Sequence, residues 1–303
     1  MKVTTESGFD LSIPRSFGHY IINKNLISGS TCSMALATDT NTNDLVAVKI
    51  MSKKDSNAAI KIDKEINILT KLKNQNPNII QIIDVLEVDN LVFVVMEYCP
   101  NGDLYDAITA GSLRTVSIKK RIMKGILSAV SFLHNECGIA HGDIKAENIV
   151  LDSNFEPKLI DFGNAKNFEI GDDSEKDGTL LYACPELLTE GSLFDTKKAD
   201  IYALGILMTT LFTGHFPFYS LSDESVIEQI LSHNFSFPNS MNLNLKAIMI
   251  KCTQFDPSNR PNINEVLNYP WFNTTPSIQV QKVVTHDLKT EKNSQNQITE
   301  IRG

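Results

Sequence analysis

The chain changes texture once along its length. From His19 to about Tyr98, short apolar runs such as Leu45-Val46-Ala47-Val48 and Leu91-Val92-Phe93-Val94-Val95-Met96 are separated by Asn, Asp and Thr turns, a pattern that predicts strands. One helix interrupts them. Over 59–73, Ile62, Ile66, Leu69 and Leu72 recur at three- and four-residue steps and build one apolar face. Past Cys99-Pro100-Asn101-Gly102 the period becomes helical. Ile118, Ile122, Ile126, Val130 and Leu133 share a face over 117–136, and further helices are expected near 198–212, 223–233, 243–254 and 263–268. A strand-rich part therefore joins a helix-rich part through a connector at 97–102, which gives an α+β class. Ligands often bind at such junctions. Residues 1–18 are polar with little periodicity and read as an N-terminal extension, while 273–303 are rich in Thr, Ser, Gln, Asn and Lys and read as a flexible tail.

Composition narrows the picture. A chain of 303 residues is long enough for one large domain or two smaller ones sharing a core. The formal net charge of −8 disfavours a general nucleic-acid or anionic-membrane binder, since either wants a basic surface. The start, MKVTTESGFD, has no apolar stretch of signal-peptide length. Ile201–Phe212 is apolar but is broken by Gly205 and two threonines, so it reads as a buried helix rather than a membrane span. The five cysteines are scattered, odd in number and lack metal-type spacing. That pattern predicts reduced thiols and a cytoplasmic or nuclear setting. Oligomeric state is left open.

The chemistry concentrates in residues 140–150, Ala-His-Gly-Asp-Ile-Lys-Ala-Glu-Asn-Ile-Val. Asp143, Lys145 and Asn148 lie within six positions. Downstream, the apolar run Lys158-Leu159-Ile160 ends in Asp161-Phe162-Gly163. Upstream, Lys49 sits on a strand and Glu65 on the following helix. This set suits transfer of a γ-phosphoryl group, where positioning and charge neutralisation matter more than covalent help. Magnesium wants hard oxygen ligands, here Asn148 and Asp161. ATP phosphates want a cation, Lys49, braced by Glu65. An attacking hydroxyl wants a proton acceptor, Asp143.

On these residues the sequence resembles the eukaryotic protein kinase family, in family order from about His19 to Phe272. The motifs are VAVK (46–49), HGDIKAEN (141–148), DFG (161–163), GTLLYACPE (178–186), DIYALG (200–205) and FDPSNRPN (255–262). The resemblance implies a bilobal fold, with a small β-rich lobe over about 19–98 and a larger helical lobe over about 101–272. It implies ATP and Mg2+ as cofactors. Lys145 then stabilises the transferring phosphoryl, and Arg260 pairs with Glu186. It also places Met96 at the back of the adenine pocket, the backbone of Glu97 and Cys99 at the adenine edge, and Leu26, Met34, Ala47 and Val150 around the ring. Asp103 falls where the family contacts ribose or a basic substrate residue. Lys145 with Thr179 looks like the serine/threonine type. Glu147 and Asp103 together suggest protein substrates with a basic residue near the target hydroxyl.

Two departures from the family matter. The phosphate loop, Leu26-Ile27-Ser28-Gly29-Ser30-Thr31-Cys32-Ser33-Met34, keeps only the middle glycine, Gly29, which predicts looser nucleotide binding or a stiffer loop. Cys32 reads as a small residue filling one vacated slot rather than as a redox or covalent handle, and Cys99 is read in the same way. At Gly142 many kinases carry an arginine that docks a phosphate on the activation segment. Three residues before Gly178, where the phosphosite is usual, stands Glu175, with Ser174 adjacent. The pattern predicts a kinase that does not depend on that phosphorylation. The alternative is a pseudokinase acting as a nucleotide-binding scaffold or partner-binding module.

Overall fold

A computed structural model describes residues 2–4, 10–12, 14–28, 32–53, 55–167, 179–189, 195–218 and 222–274. Strands β1 (Lys2–Thr4) and β2 (Asp10–Ser12) pair with each other as a separate antiparallel hairpin. The small lobe is one antiparallel sheet of β3 (Ser16–Phe17), β4 (Tyr20–Ser28), β5 (Cys32–Asp39), β6 (Leu45–Ser52), β7 (Ile82–Val88) and β8 (Leu91–Glu97). Its spatial order is β3-β4-β5-β6-β8-β7.

The two-residue side-chain period of a strand explains how this sheet serves two masters. On β6, Val46, Val48 and Ile50 point into a core with Phe17, Tyr20, Ala35, Ala37, Phe93 and Val95. Ala47 and Lys49 take the opposite face and are half-buried. On β5 the same parity puts Met34 with them, opposite Lys49 in register.

Helix α1 (Ser56–Leu72) is capped by Asp55, whose Oδ1 accepts the Ala58 N–H at 2.8 Å. Its buried stripe is Ile62, Glu65, Leu69 and Leu72. A glutamate thus occupies a core position one turn into an apolar face.

Ser16 and Phe17, at the end of the stretch expected as an extension, pair with Ile21 and Tyr20 as the edge strand of the small-lobe sheet. Phe17 is 3% exposed and stacks on Phe93 with ring centroids 4.2 Å apart, and the Ile22 N–H donates to the Arg15 carbonyl at 2.9 Å. A single aromatic between serine and glycine makes no periodic signal, so its burial was not legible.

The large lobe holds α2 (Leu104–Thr109), α3 (Val116–Asn135), β9 (Ile139–Ala140), β10 (Ile149–Leu151), β11 (Pro157–Leu159), β12 (Lys166–Asn167) and α4 (Pro185–Leu188). Then come α5 (Thr196–Thr213), α6 (Asp223–Leu231), α7 (Leu243–Cys252), α8 (Ile263–Leu267) and α9 (Pro270–Asn273). Strand β10 pairs with β11, and β9 pairs with β12. Helix α5 is buried nearly all round. Its run Ile201–Leu211 is core, as its sequence implied, and no helix among the described residues is long and apolar enough to cross a membrane. One apolar core runs from under α1 and β8 through α3 to α5, α7 and α9.

Candidate active site

Two clusters of charged side chains face each other where the lobes join. The first is built on Lys49. Its Nζ lies 2.6 Å from Glu65 Oε1 and 3.0 Å from Asp161 Oδ1. Strand β6, helix α1 and the turn after β11 each contribute one member. Burial works against the Lys49 charge, but the two carboxylates outweigh it and hold its pKa above the ordinary lysine value. Burial lifts the Glu65 carboxyl above its ordinary value, against the pull of Lys49. For Asp161, burial would raise the pKa, but Lys49 together with His141 and the Gly163 N–H brings it below the ordinary aspartate value.

Asp161 adopts φ +62, a left-handed conformation rare for a non-glycine residue. It survives because its surroundings over-determine it. Phe162 is fully buried, edge-on to His141 at 5.0 Å, and the Ala165 N–H donates back to the Phe162 carbonyl at 3.1 Å.

The second cluster is built on Asp143. Its Oδ2 lies 2.8 Å from Lys145 Nζ and accepts from Asn148 Nδ2 at 3.0 Å; its Oδ1 accepts from the Thr179 hydroxyl at 3.1 Å. Lys145 Nζ also donates to Thr179 Oγ1 at 2.9 Å. Thr179 reaches this cluster from 36 residues away in sequence, and its hydroxyl closes a ring of three polar groups around the carboxylate.

Asn148 Nδ2 also donates to the Asp143 carbonyl at 2.8 Å, which turns the amide oxygen away from Asp143. The Ile160 N–H donates to the Asn148 carbonyl at 2.9 Å, so Asn148 sits opposite Ile160 at the open end of the β10–β11 hairpin, with Asp161 the next residue on. A carboxylate and an amide oxygen are hard donors of the kind magnesium takes. The pair fits the expected metal.

The positions expected around adenine fall on β5, β6, β8 and β10. Ala47 is paired with Met96 across β6 and β8, and Met34, Ala47 and Val150 are half-buried on the cleft side. The Cys99 N–H has no partner among the described residues, a free donor for the edge of a base. Cys99 itself is buried, and desolvation pushes its thiol pKa up to about 12, so it is a neutral thiol rather than a reactive one. Leu26 lies on β4; Gly29 of the phosphate loop falls outside the described residues, as do Ser174, Glu175 and Gly178.

Asp103 caps α2 through the Asp106 N–H at 2.8 Å and bridges to Val150, while Glu147 is exposed. Burial raises the Asp103 pKa.

Several supporting residues sat in the quoted motifs, most of them without an assigned role. Asp200 on α5 accepts the N–H groups of His141 at 2.8 Å and Gly142 at 2.9 Å, as well as His134 Nε2 at 2.8 Å. His141 Nε2 reaches the Ile160 carbonyl at 3.0 Å, and the Asp143 N–H donates to His141 Nδ1 at 3.3 Å. The Tyr182 hydroxyl accepts the Ala146 N–H at 3.2 Å. The catalytic loop is thus held through its backbone by helix α5. Glu186 and Arg260 meet as a bidentate pair at 2.6 and 2.7 Å, as the resemblance implied.

Similarity to known proteins agrees with this geometry. The family model of the protein kinase domain matches residues 20–272, and the chain belongs to that family. The Dictyostelium discoideum 3-phosphoinositide-dependent protein kinase B is 33% identical over 255 residues, covering 81% of this chain and 28% of that protein. Caenorhabditis elegans serine/threonine-protein kinase kin-29 is 31% identical over 266 residues, 86% of this chain and 32% of that protein. Rat serine/threonine-protein kinase SIK1 is 31% identical over 283 residues, 92% of this chain and 36% of that protein. The chain therefore spans about a third of the length of these relatives, and it carries a protein kinase domain of the serine/threonine type.

Proposed function

We propose that this chain transfers the γ-phosphoryl of ATP to serine or threonine hydroxyls of protein substrates. The observation that carries the reading is the convergence of Lys49, Glu65 and Asp161 with Asp143, Lys145, Asn148 and Thr179. They come from five separate segments, and Lys49 and Lys145 each lie within ion-pair distance of a carboxylate.

In this reading Lys49, kept charged and fixed by Glu65, holds the α- and β-phosphates. Met34, Ala47 and Val150 enclose the adenine, with the backbone of Glu97 and Cys99 at its edge. Asn148 and Asp161 hold Mg2+, which when bound neutralises charge on the phosphate oxygens. Asp143 orients the incoming hydroxyl and accepts its proton. Lys145 stabilises the oxygens of the group in transit. Thr179 places the Asp143 carboxylate and Lys145 in register.

Two finer readings belong to the same proposal. Gly142 offers no guanidinium to receive a phosphate, which supports activity without activation-segment phosphorylation. Glu147, exposed near Lys145, together with the Asp103 carboxylate, supports a preference for substrates with a nearby arginine or lysine. Five free thiols support a cytoplasmic or nuclear location.

The test is transfer from labelled ATP with magnesium onto peptides with and without a basic residue near the serine. Asp143→Asn is expected to lower the rate roughly 10²- to 10⁴-fold, the usual size of a general-base contribution. Ser174→Ala is expected to leave it within a factor of about two. Mg-ATP binding with no transfer by the wild type would instead favour a partner-binding pseudokinase.

A further inference from the structure

Helix α3 carries a cluster of cations that the proposed reaction does not use. Residues 116–135 include Lys119, Lys120, Arg121 and Lys124 but no aspartate or glutamate. All four lie in the N-terminal half of the helix, where the dipole favours anions and opposes cations. Lys120 is the sharpest case. It is only 8% exposed, and its ammonium donates to the Thr274 carbonyl and lies 3.4 Å from the Thr274 hydroxyl oxygen and 4.8 Å from the Trp271 ring centroid. None of these neighbours is an anion, although a buried ammonium ordinarily has one. Burial and the nearby Lys124 ammonium both push its pKa below the ordinary lysine value. Lys124 is exposed, and its side chain has no partner among the described residues.

Lys120, Arg121 and Lys124 line one open cavity of about 480 Å³, together with Ser117 and Ser128 from the same helix and Glu156 from the turn between β10 and β11. Glu156 lies 3.3 Å from Arg121 Nε, so three cations meet a single carboxylate. From Ser117 to Ser128 the helix rises about 16 Å, the length of about five residues of extended chain. Arg121 also donates to the Asn154 carbonyl at 2.9 Å, which ties the cavity to the closed end of the β10–β11 hairpin. Asn148 stands at the other end, so an occupant here leaves the catalytic clusters open. We infer that this cavity is a docking site for a short acidic segment of a protein partner, about five residues long, whose carboxylates supply the anions that Lys120 and Lys124 lack. The chain itself passes the cavity at Thr274, but residues 275–303 carry four cations against three acids and do not complement it. The inference does not rest on the kinase reading.

The test is fluorescence anisotropy of a labelled, end-capped peptide Asp-Glu-Asp-Glu-Asp titrated with the full chain, without nucleotide or magnesium. Its uncharged counterpart Asn-Gln-Asn-Gln-Asn is the control. The acidic peptide is expected to bind at least about tenfold tighter than the control, and to weaken as salt rises from low to about 0.3 M. Lys124→Glu changes an exposed residue, so the fold is retained; it replaces attraction by repulsion and is expected to weaken binding about tenfold. Lys120→Met removes a buried cation that has no carboxylate partner. It is expected to weaken binding to a similar degree without lowering Tm, whereas a purely structural lysine would lose stability and leave the peptide bound. Equal affinity for the two peptides, or unchanged binding in Lys124→Glu, would overturn the inference even if Lys120→Met fails to fold. Inorganic phosphate displacing the acidic peptide at equal concentration would also overturn it, since the cavity would then be a site for a small oxyanion.

Discussion

The Glu186–Arg260 pair offers the sharpest test of the large-lobe architecture. Arg260 is 0% and Glu186 5% exposed at the side chain. Both Glu186 oxygens accept from the guanidinium, and the remaining donors go to the carbonyls of Gln254 at 2.8 Å, Lys198 at 3.0 Å and Phe255 at 3.1 Å. The guanidinium also lies 4.9 Å from the Tyr202 ring centroid. All five N–H groups are thus satisfied, and three of them are tied to backbone that Glu186 does not control. Glu186→Gln keeps the volume but removes the charge and sets an NH2 group against a donor. The guanidinium cannot swing out to water, because its carbonyl partners hold it, so the cost falls at the level of a broken buried pair, about 3–5 kcal/mol. That is a large part of the roughly 5–15 kcal/mol that stabilises a typical domain. At about 2–4 °C per kcal/mol for a domain of this size it lowers Tm by roughly 6–20 °C. Urea unfolding of wild type, Glu186→Gln, Arg260→Met and the double variant closes the cycle. The double variant is expected to recover part of the loss, since an apolar replacement of both partners is often near neutral. A Glu186→Gln cost below about 1 kcal/mol, the range of exposed pairs, would refute the reasoning.

Two further outcomes follow from the site itself. Glu65 titrates above the ordinary glutamate value of about 4.3, and its ionised form is the one that braces Lys49. As pH falls through that raised value the brace is lost, so kcat/KM for ATP is expected to show an acid limb above pH 4.3 that Glu65→Gln removes; persistence of the limb in that variant would assign it elsewhere. Asp161, shifted downward, protonates only at lower pH, and Lys49, shifted upward, gives no basic limb below the ordinary lysine value. Thr179→Val removes a hydroxyl that donates to Asp143 and accepts from Lys145, two charged partners worth about 1.5–3 kcal/mol each when lost. Steady-state kinetics are expected to show kcat down about 10- to 100-fold with KM for ATP little changed, and Thr179→Ser restoring most of it.

Much of this was legible because its signals are local. The helical stripes of α3 and α1, the apolar run of α5 and the ordered motifs around Lys49, Asp143 and Asp161 each follow from spacing within a single segment. Glu65 was legible only as a carboxylate on the helix after Lys49 in the ordered set of motifs; its burial in the apolar face of α1 appears only in the fold. What escaped was short or tertiary. Strands β9 and β12 are two residues each, below any period. Helix α2 spans six residues and leans on its Asp103 cap. Asp200 sat within a quoted motif, but its three bonds to the catalytic loop and to His134 arise only when α5 packs beneath that loop.

Gly142 shows how sequence and structure divide the work. Set against the family pattern, the position is a deletion: a guanidinium is gone, and with it, on the proposed reading, the receptor for an activation-segment phosphate. Placed in the fold, the same residue sits at φ +78, a left-handed backbone that costs a glycine little, and donates its N–H to Asp200. The two descriptions have one physical cause. The lack of a side chain removes the receptor and also relieves the strain of the left-handed backbone that Asp200 anchors. The Asp143 carboxylate is still ringed by Lys145, Asn148 and Thr179, and the backbone before it is still bonded to Asp200, so the proposed activity does not depend on the missing guanidinium to hold the catalytic aspartate.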